Sequence, residues 1–179
     1  MRAVRGVDVA TPIEFTSGFE FVNVDQATFR NALSNFASGV TVVSACDENA
    51  HPYAMTVSAF TSLSLDPPLI LVCIGQNSAR AEKFSQARFF AVNVLSAGQV
   101  ALSDRFARTQ GIDFDGVDYD LWDHGAPILR GAVATLECER SKMHEEGDHY
   151  IMIGRVLRAQ FDESRRPLLH FRREYGKIG

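Results

Sequence analysis

The sequence predicts a mainly β fold, a β-barrel with flanking helices. Three observations carry this expectation. Six or seven segments are β-branched, apolar or alternating, as strands are. Most of them are joined by short turns, so the regular strand–helix–strand alternation of a doubly wound sheet is missing. Only three segments carry helix signals.

Residues 1–24 show no clear periodicity and read as an N-terminal extension ahead of a single domain over 25–179. Asp25 suits a helix N-cap. Phe29, Ala32, Leu33, Phe36 and Ala37 follow at helical spacing, which predicts an amphipathic helix with that face inward, closed by Gly39. VTVVSAC at 40–46 is strand-like, and DENAHP at 47–52 is a turn into a hairpin. TVSAFTSLSL at 56–65 alternates, which predicts one strand. Val57, Ala59, Leu63 and Leu65 fall on one side and Thr56, Ser58, Phe60, Ser62 and Ser64 on the other. DPP breaks it, and LILVCIG at 69–75 reads as a buried strand. Ser78 is placed to cap the short helix ARAEKFSQA. FFAVNVL is a further strand, and Ser96 with Gln99 has capping-box spacing for a helix through VALSDRFA. The acidic run 109–127 reads as a long surface loop. GAVATLECE and HYIMIGRVLRAQF are strands joined by an acidic turn, and PLLHF is a last strand before a charged tail.

Composition narrows the function classes. At 179 residues, 46% hydrophobic and 22% charged, the chain can bury a core without disulfides. A net charge of −4 with no basic cluster argues against a nucleic-acid surface. The longest apolar run is too short to span a bilayer. Cys46, Cys73 and Cys138 are odd in number and form no CxxC, which suits a reduced, cytoplasmic protein. The N-terminus has no basic-then-apolar signal pattern.

Several chemistries lack their motifs. There is no G-x-G dinucleotide fingerprint, no P-loop and no G-x-S-x-G elbow. The five histidines have no HxxxH or HExxH spacing, so no metal site is expected. The hydroxyls of 56–65 admit two readings. They form either the wet face of a half-buried strand or a groove for a phosphate or a heterocycle edge. Phe60 among them suits a ring-bearing ligand. The stretch HEEGDHYIMIG, 144–154, sets His149 at the mouth of a strand behind an acidic turn. The residue types alone leave a ligand contact and an ordinary turn histidine both open.

TVSAFTSLSLDPPLILVCI is similar to the flavin-binding segment of the short-chain flavin reductases, the reductase components of two-component flavin-dependent monooxygenases. The likeness continues in FRNALSNFASGVTVVS, FAVNVLS, LSDRFA, GAPILRGAVATLEC, EGDHYIMIGRV and PLLHFRREY, in the same order and spacing, over about residues 28 to 175. The resemblance implies an FMN-binding split β-barrel and a homodimer with flavin at the subunit interface. It implies hydride transfer from NADH to FMN or FAD, and release of reduced flavin by diffusion to a separate monooxygenase. Little acid–base equipment is needed, because the flavin carries the chemistry.

The resemblance places flavin contacts on Pro52, Tyr53, Ala54, Met55, Thr56, Ser58 and Ala59, on Cys73, Ile74 and Gly75, on Ala79 and Arg80 at a helix start, and on Arg105 and Phe106. It associates His149 with nicotinamide binding and makes it the candidate catalytic residue. His170, Phe171, Arg172 and Tyr175 match a second nicotinamide-binding stretch, although many relatives carry another aromatic where His170 stands. The acidic turn disfavours an extra 2′-phosphate, so NADH is expected over NADPH. Two alternatives share the fold: a flavoprotein that keeps its flavin and reduces its own substrate, and a flavin-binding module without turnover.

Overall fold

The structure is a computed structural model that describes residues 24–108 and 114–178. The expected N-terminal extension, apart from Val24, lies outside the described residues. The elements in chain order are α1 (Gln26–Leu33), β1 (Ser38–Gly39), β2 (Thr41–Cys46), β3 (Pro52–Val57), β4 (Phe60–Leu65), β5 (Pro68–Gly75), α2 (Ala81–Gln86) and β6 (Phe89–Val94). They continue with α3 (Val100–Ala107), β7 (Tyr119–Leu121), β8 (Pro127–Leu129), β9 (Ala134–Glu146), β10 (His149–Phe161), β11 (Leu168–Phe171) and β12 (Glu174–Lys177).

Seven strands make one antiparallel sheet in the order β3-β2-β6-β9-β10-β5-β4. Its two edges, β3 and β4, are consecutive in the chain and are joined by Ser58 and Ala59 alone. Such a short link forces the sheet to curl until its edges approach. The result is barrel-like, with a seam that a covalent crossing bridges instead of a hydrogen-bond ladder. The expected mainly β architecture with flanking helices is therefore present.

β2 is buried along nearly its whole length, which explains why VTVVSAC reads as a continuous apolar run rather than an alternating one. Val43 and Ala45 join Val72, Ile74, Phe84, Phe90 and Met152 in one core cluster. Val42 joins Ala54, Leu95, Phe106 and Leu168 in a second. β9 and β10 cross the barrel as a long hairpin turned by Gly147 and Asp148, with Gly147 at φ 60°. Gly154 sits at a register shift of β10, and a Cβ there would run into the Phe90 ring.

The structure departs from the sequence expectations in several places. Asp25 does cap α1, its carboxylate accepting from Thr28 N–H at 2.7 Å. The helix ends at Leu33, however, and Gly39 lies in β1. Its apolar face is not inward: Phe29 is 54% exposed, Leu33 55% and Phe36 79%. Periodicity finds an apolar stripe but not the side it faces. The alternating segment is two strands, because the chain leaves one sheet edge at Val57 and joins the other at Phe60. A register shift between Ser62 and Ser64 then leaves both Leu63 and Leu65 exposed. Ser78 does not cap α2; it accepts from Arg80 N–H at 3.3 Å in the turn before the helix. Only half of the Ser96–Gln99 capping box forms, Gln99 Oε1 accepting from Ser96 N–H at 2.9 Å.

The part of the expected 109–127 loop that is described holds β7, paired with β8, and buries Phe114 and Val117. The charged tail is a strand as well. β11 and β12 form a hairpin whose two-residue turn, Arg172–Arg173, has φ of 50° and 67°. Such turns ordinarily use Asn-Gly, and each left-handed side-chain-bearing residue costs about 1 kcal/mol.

Candidate active site

The barrel seam brings together residues from distant parts of the sequence. Ser58 and Ala59 are exposed at the crossing, and Ala59 C=O accepts from Cys73 N–H at 3.0 Å. The crossing therefore lies against the C-terminal half of β5. At the end of that strand, Gly75 pairs with His149 of β10. A Cβ placed on Gly75 would stand 3.6 Å from His149 Nε2, in ordinary contact, so the imidazole lies directly beside Gly75. Gln76 N–H donates to Asp148 C=O at 2.9 Å and ties the Gly147–Asp148 turn to the loop leading into α2.

His149 is half exposed, and its Nδ1 lies 2.7 Å from Asp148 Oδ1. A carboxylate only accepts, so Nδ1 carries the hydrogen, and Nε2 lies on the Gly75 side. The hydrogen bond from His149 holds the Asp148 carboxyl below the usual range, with a smaller contribution from the Arg30 charge. Asp148 is thus an anion at neutral pH.

α3 connects the two sides of the site. Thr56 Oγ1–H donates to Ser103 C=O at 2.7 Å and ties β3 to the helix. The Tyr175 hydroxyl lies 2.9 Å from Ser103 Oγ and donates to Asp104 Oδ1 at 2.8 Å, which ties the β11–β12 hairpin to the same turn. The rings of His170 and Tyr175 meet edge-on at 5.9 Å. Arg80 donates to Arg108 C=O at 3.1 Å, linking the loop before α2 to the end of α3. Burial lowers the Arg80 pKa, a cost to its charge that a phosphate would offset.

Among the residues expected to hold flavin, the side chains divide. Tyr53, Ala54, Ile74 and Phe106 are buried, so only their backbone can reach a ligand. Tyr53 packs edge-on against Phe84 and donates its hydroxyl hydrogen to Lys83 C=O at 3.0 Å. The Phe106 ring packs against Phe114. Pro52, Met55, Thr56, Cys73 and Arg105 are partly accessible, and Ala79 is exposed. Arg105 donates to Asp115 C=O at 2.9 Å. Desolvation raises the Cys73 thiol, which makes it a neutral neighbour rather than a nucleophile. Phe171 and Tyr175 are 41% and 39% exposed.

Ser103 and Asp104 escaped the sequence reading although they adjoin Arg105 and Phe106. Their signal was helical spacing, since Ser103 shares the buried side of α3 with Phe106. A cavity of about 710 Å³ lies elsewhere, by the β2–β3 turn, and takes in Tyr53 alone of the expected site residues. His124 lines it, with Nδ1 3.1 Å from the fully buried Glu137 carboxylate. Among the described residues no cluster of His, Cys, Asp and Glu could hold a metal. No helix among them is long and apolar enough to cross a membrane.

The model of the flavin reductase like domain matches residues 33–179. The chain belongs to the flavin reductase family. An FMN reductase (NADH) from Agrobacterium fabrum is 43% identical over 159 residues, covering 89% of this chain and 88% of that one. An NADH-dependent FAD reductase from Streptomyces globisporus is 41% identical over 140 residues, covering 75% and 76%. Among solved structures, the NADH:FAD oxidoreductase SgcE6 of Streptomyces globisporus superposes with a TM-score of 0.85 at 37% identity, over 90% of this chain and 98% of that one. The same enzyme is also solved with NAD and FAD fragments, at a TM-score of 0.84. The flavin reductase component of a bacterial two-component tryptophan halogenase gives 0.80 at 36% identity, over 86% and 98%. The seam presents exposed backbone at Ser58 and Ala59, and the His149 turn presents an imidazole oriented by Asp148.

Proposed function

We propose that this flavin reductase oxidises NADH, passes the hydride to FMN or FAD, and releases reduced flavin to a separate flavin-dependent monooxygenase. The observation that carries the reading is the meeting of the Ser58–Ala59 seam, the Cys73–Gly75 strand end and His149 in one place. Family membership and the NADH-dependent relatives support it. The flavin supplies the hydride-accepting chemistry when bound.

The protein's part is binding and orientation. Backbone at 52–59 and 73–75 lies against the ring system, while Arg80 and Arg105 offer charge to the phosphate. His149 is fixed by Asp148 with Nε2 towards the nicotinamide, and His170, Phe171, Arg172 and Tyr175 form the outer wall. The Asp148 anion opposes a 2′-phosphate and favours NADH. The exposed seam suits a flavin that must leave, whereas a retained flavin wants enclosure. A homodimer belongs to the same proposal. Phe29, Leu33, Phe36, Leu65 and Phe161 are large apolar side chains left exposed, which a second copy would cover. Three unpaired thiols favour the cytoplasm.

The protein mixed with NADH and FMN or FAD is expected to lose the absorbance of reduced nicotinamide. No loss with either flavin overturns the reading. Light scattering is expected to give twice the chain mass, and a monomer at micromolar concentration refutes the dimer.

A further inference from the structure

A surface helix ordinarily turns its apolar stripe to the core and its polar side to water. α1 does the reverse. Phe29, Leu33 and Phe36 stand outward, and the polar side reaches the rest of the chain. Asn31 Oδ1 accepts from Arg173 Nη2–H at 2.8 Å. Asn35, in the turn after the helix, accepts from Arg172 Nε–H through Oδ1 at 2.8 Å. Ser34 C=O accepts from the Arg172 backbone N–H at 2.9 Å. Three contacts thus converge on a turn whose two residues both lie in the left-handed region without being glycine or asparagine. Local sequence does not favour that turn, so bonds from outside it must. Arg30, on the same helix, is near enough for its charge to act on Asp148, the partner of His149. One short helix therefore touches the hairpin and lies within electrostatic reach of the Asp148–His149 turn.

We propose that α1 and the turn after it brace the nicotinamide side of the site, with Asn31 and Asn35 as positioning residues that hold the Arg172–Arg173 turn. The proposal rests on the reading that the hairpin and His149 receive the nicotinamide. Neither asparagine meets the cofactor; each acts through an arginine. Loss of the brace lets the turn relax towards ordinary backbone and moves His170, Phe171 and Tyr175, while the flavin strands keep their ladders.

The test compares kinetic constants of the full chain. N31L/N35L removes both acceptors at similar volume and is expected to raise the KM for NADH about fivefold or more, with kcat and flavin affinity within about twofold of wild type. N31D/N35D keeps the acceptor oxygens and is expected to restore KM. In an R172N/R173G background the turn is favoured by its own residues, so adding N31L/N35L is expected to change KM little. A merely stabilising role lowers the melting temperature alike in both backgrounds and leaves KM unmoved well below it. Unchanged KM in N31L/N35L, while His149→Ala and Tyr175→Phe raise it, overturns the brace alone. Unchanged KM in all of these variants overturns the nicotinamide reading and the brace with it. If N31L/N35L does not fold, single Asn31→Ala and Asn35→Ala variants carry the same comparison.

Discussion

The two sides of the proposed site are built by different means. On the flavin side, β3 and β5 are held by neighbouring strands, and Tyr53, Ala54, Ile74 and Phe106 point into the core. What faces outward there is largely backbone and small residues. On the nicotinamide side, among the described residues, β11 meets outside its own hairpin only the two-residue strand β1. The outer hairpin and the Gly147–Asp148 turn are exposed and held by few backbone bonds plus single side-chain bonds: His149 to Asp148, Tyr175 to Asp104, Arg172 to Asn35 and Arg173 to Asn31. A sheet resists displacement because its bonds break together, whereas individual exposed bonds contribute about 1 kcal/mol each and break separately. On the proposed assignment, the flavin would meet a rigid platform and the nicotinamide a more adjustable wall.

The largest expected effect comes from breaking the rigid side. Gly154→Ala puts a methyl into the Phe90 ring and against Cys138, with buried neighbours on both. Overpacking of this kind costs about 1–3 kcal/mol. A thermal melt is expected to show it, and affinity for flavin and for NADH should fall together. Unchanged stability would mean that the strand shifts freely at its register change.

A smaller and more selective effect is expected from His149→Ala. Removing the imidazole should raise the KM for NADH about fivefold to tenfold while flavin affinity stays near wild type. Equal loss of both would make the histidine a structural part of the seam and erase the contrast between the two sides.

The mildest expectation concerns acid. Asp148 is held below the usual carboxyl range by His149, and Glu139 by Arg155 and Arg88. Asp162 is lowered by Ser164 and Arg165, and Asp47 by backbone N–H groups of His51 and Asn49. A depressed folded-state pKa stabilises above the unfolded value, about 4, and that stability is lost as pH falls through the folded value. Denaturation midpoints should therefore be flat near neutrality and drop below about pH 4. Asp148 is exposed and the other three are at most partly buried, so the drop is expected to be modest. A midpoint that rises on acidification would reverse the assigned sign.

Much of this was legible in the residues. β2 and β6 announce themselves through β-branched and apolar runs, because strands buried on both faces need such residues throughout, and β5, β9 and β10 through apolar stretches within them. Asp25 announces α1 because a carboxylate three residues ahead of a free N–H caps it locally. The site residues were nameable only because TVSAFTSLSL, LSDRFA and EGDHYIMIG resemble a known family. Their chemistry alone left a wet strand face and a turn histidine open as readings.

What the sequence determined by itself is what acts over a few residues: strand and helix propensity, the N-cap, the Gly147 turn and the paucity of acid–base machinery. Tertiary structure alone decided which sides meet. The alternation of 56–65 carries no sign that the chain crosses between the two edges of one sheet at Ser58–Ala59, because that crossing is set by how far the whole sheet curls. The stripe on α1 carries no sign that it faces outward, because burial depends on what lies opposite. The left-handed Arg172–Arg173 turn goes against local preference, and it is held by Ser34, Asn31 and Asn35, some 140 residues away in the chain.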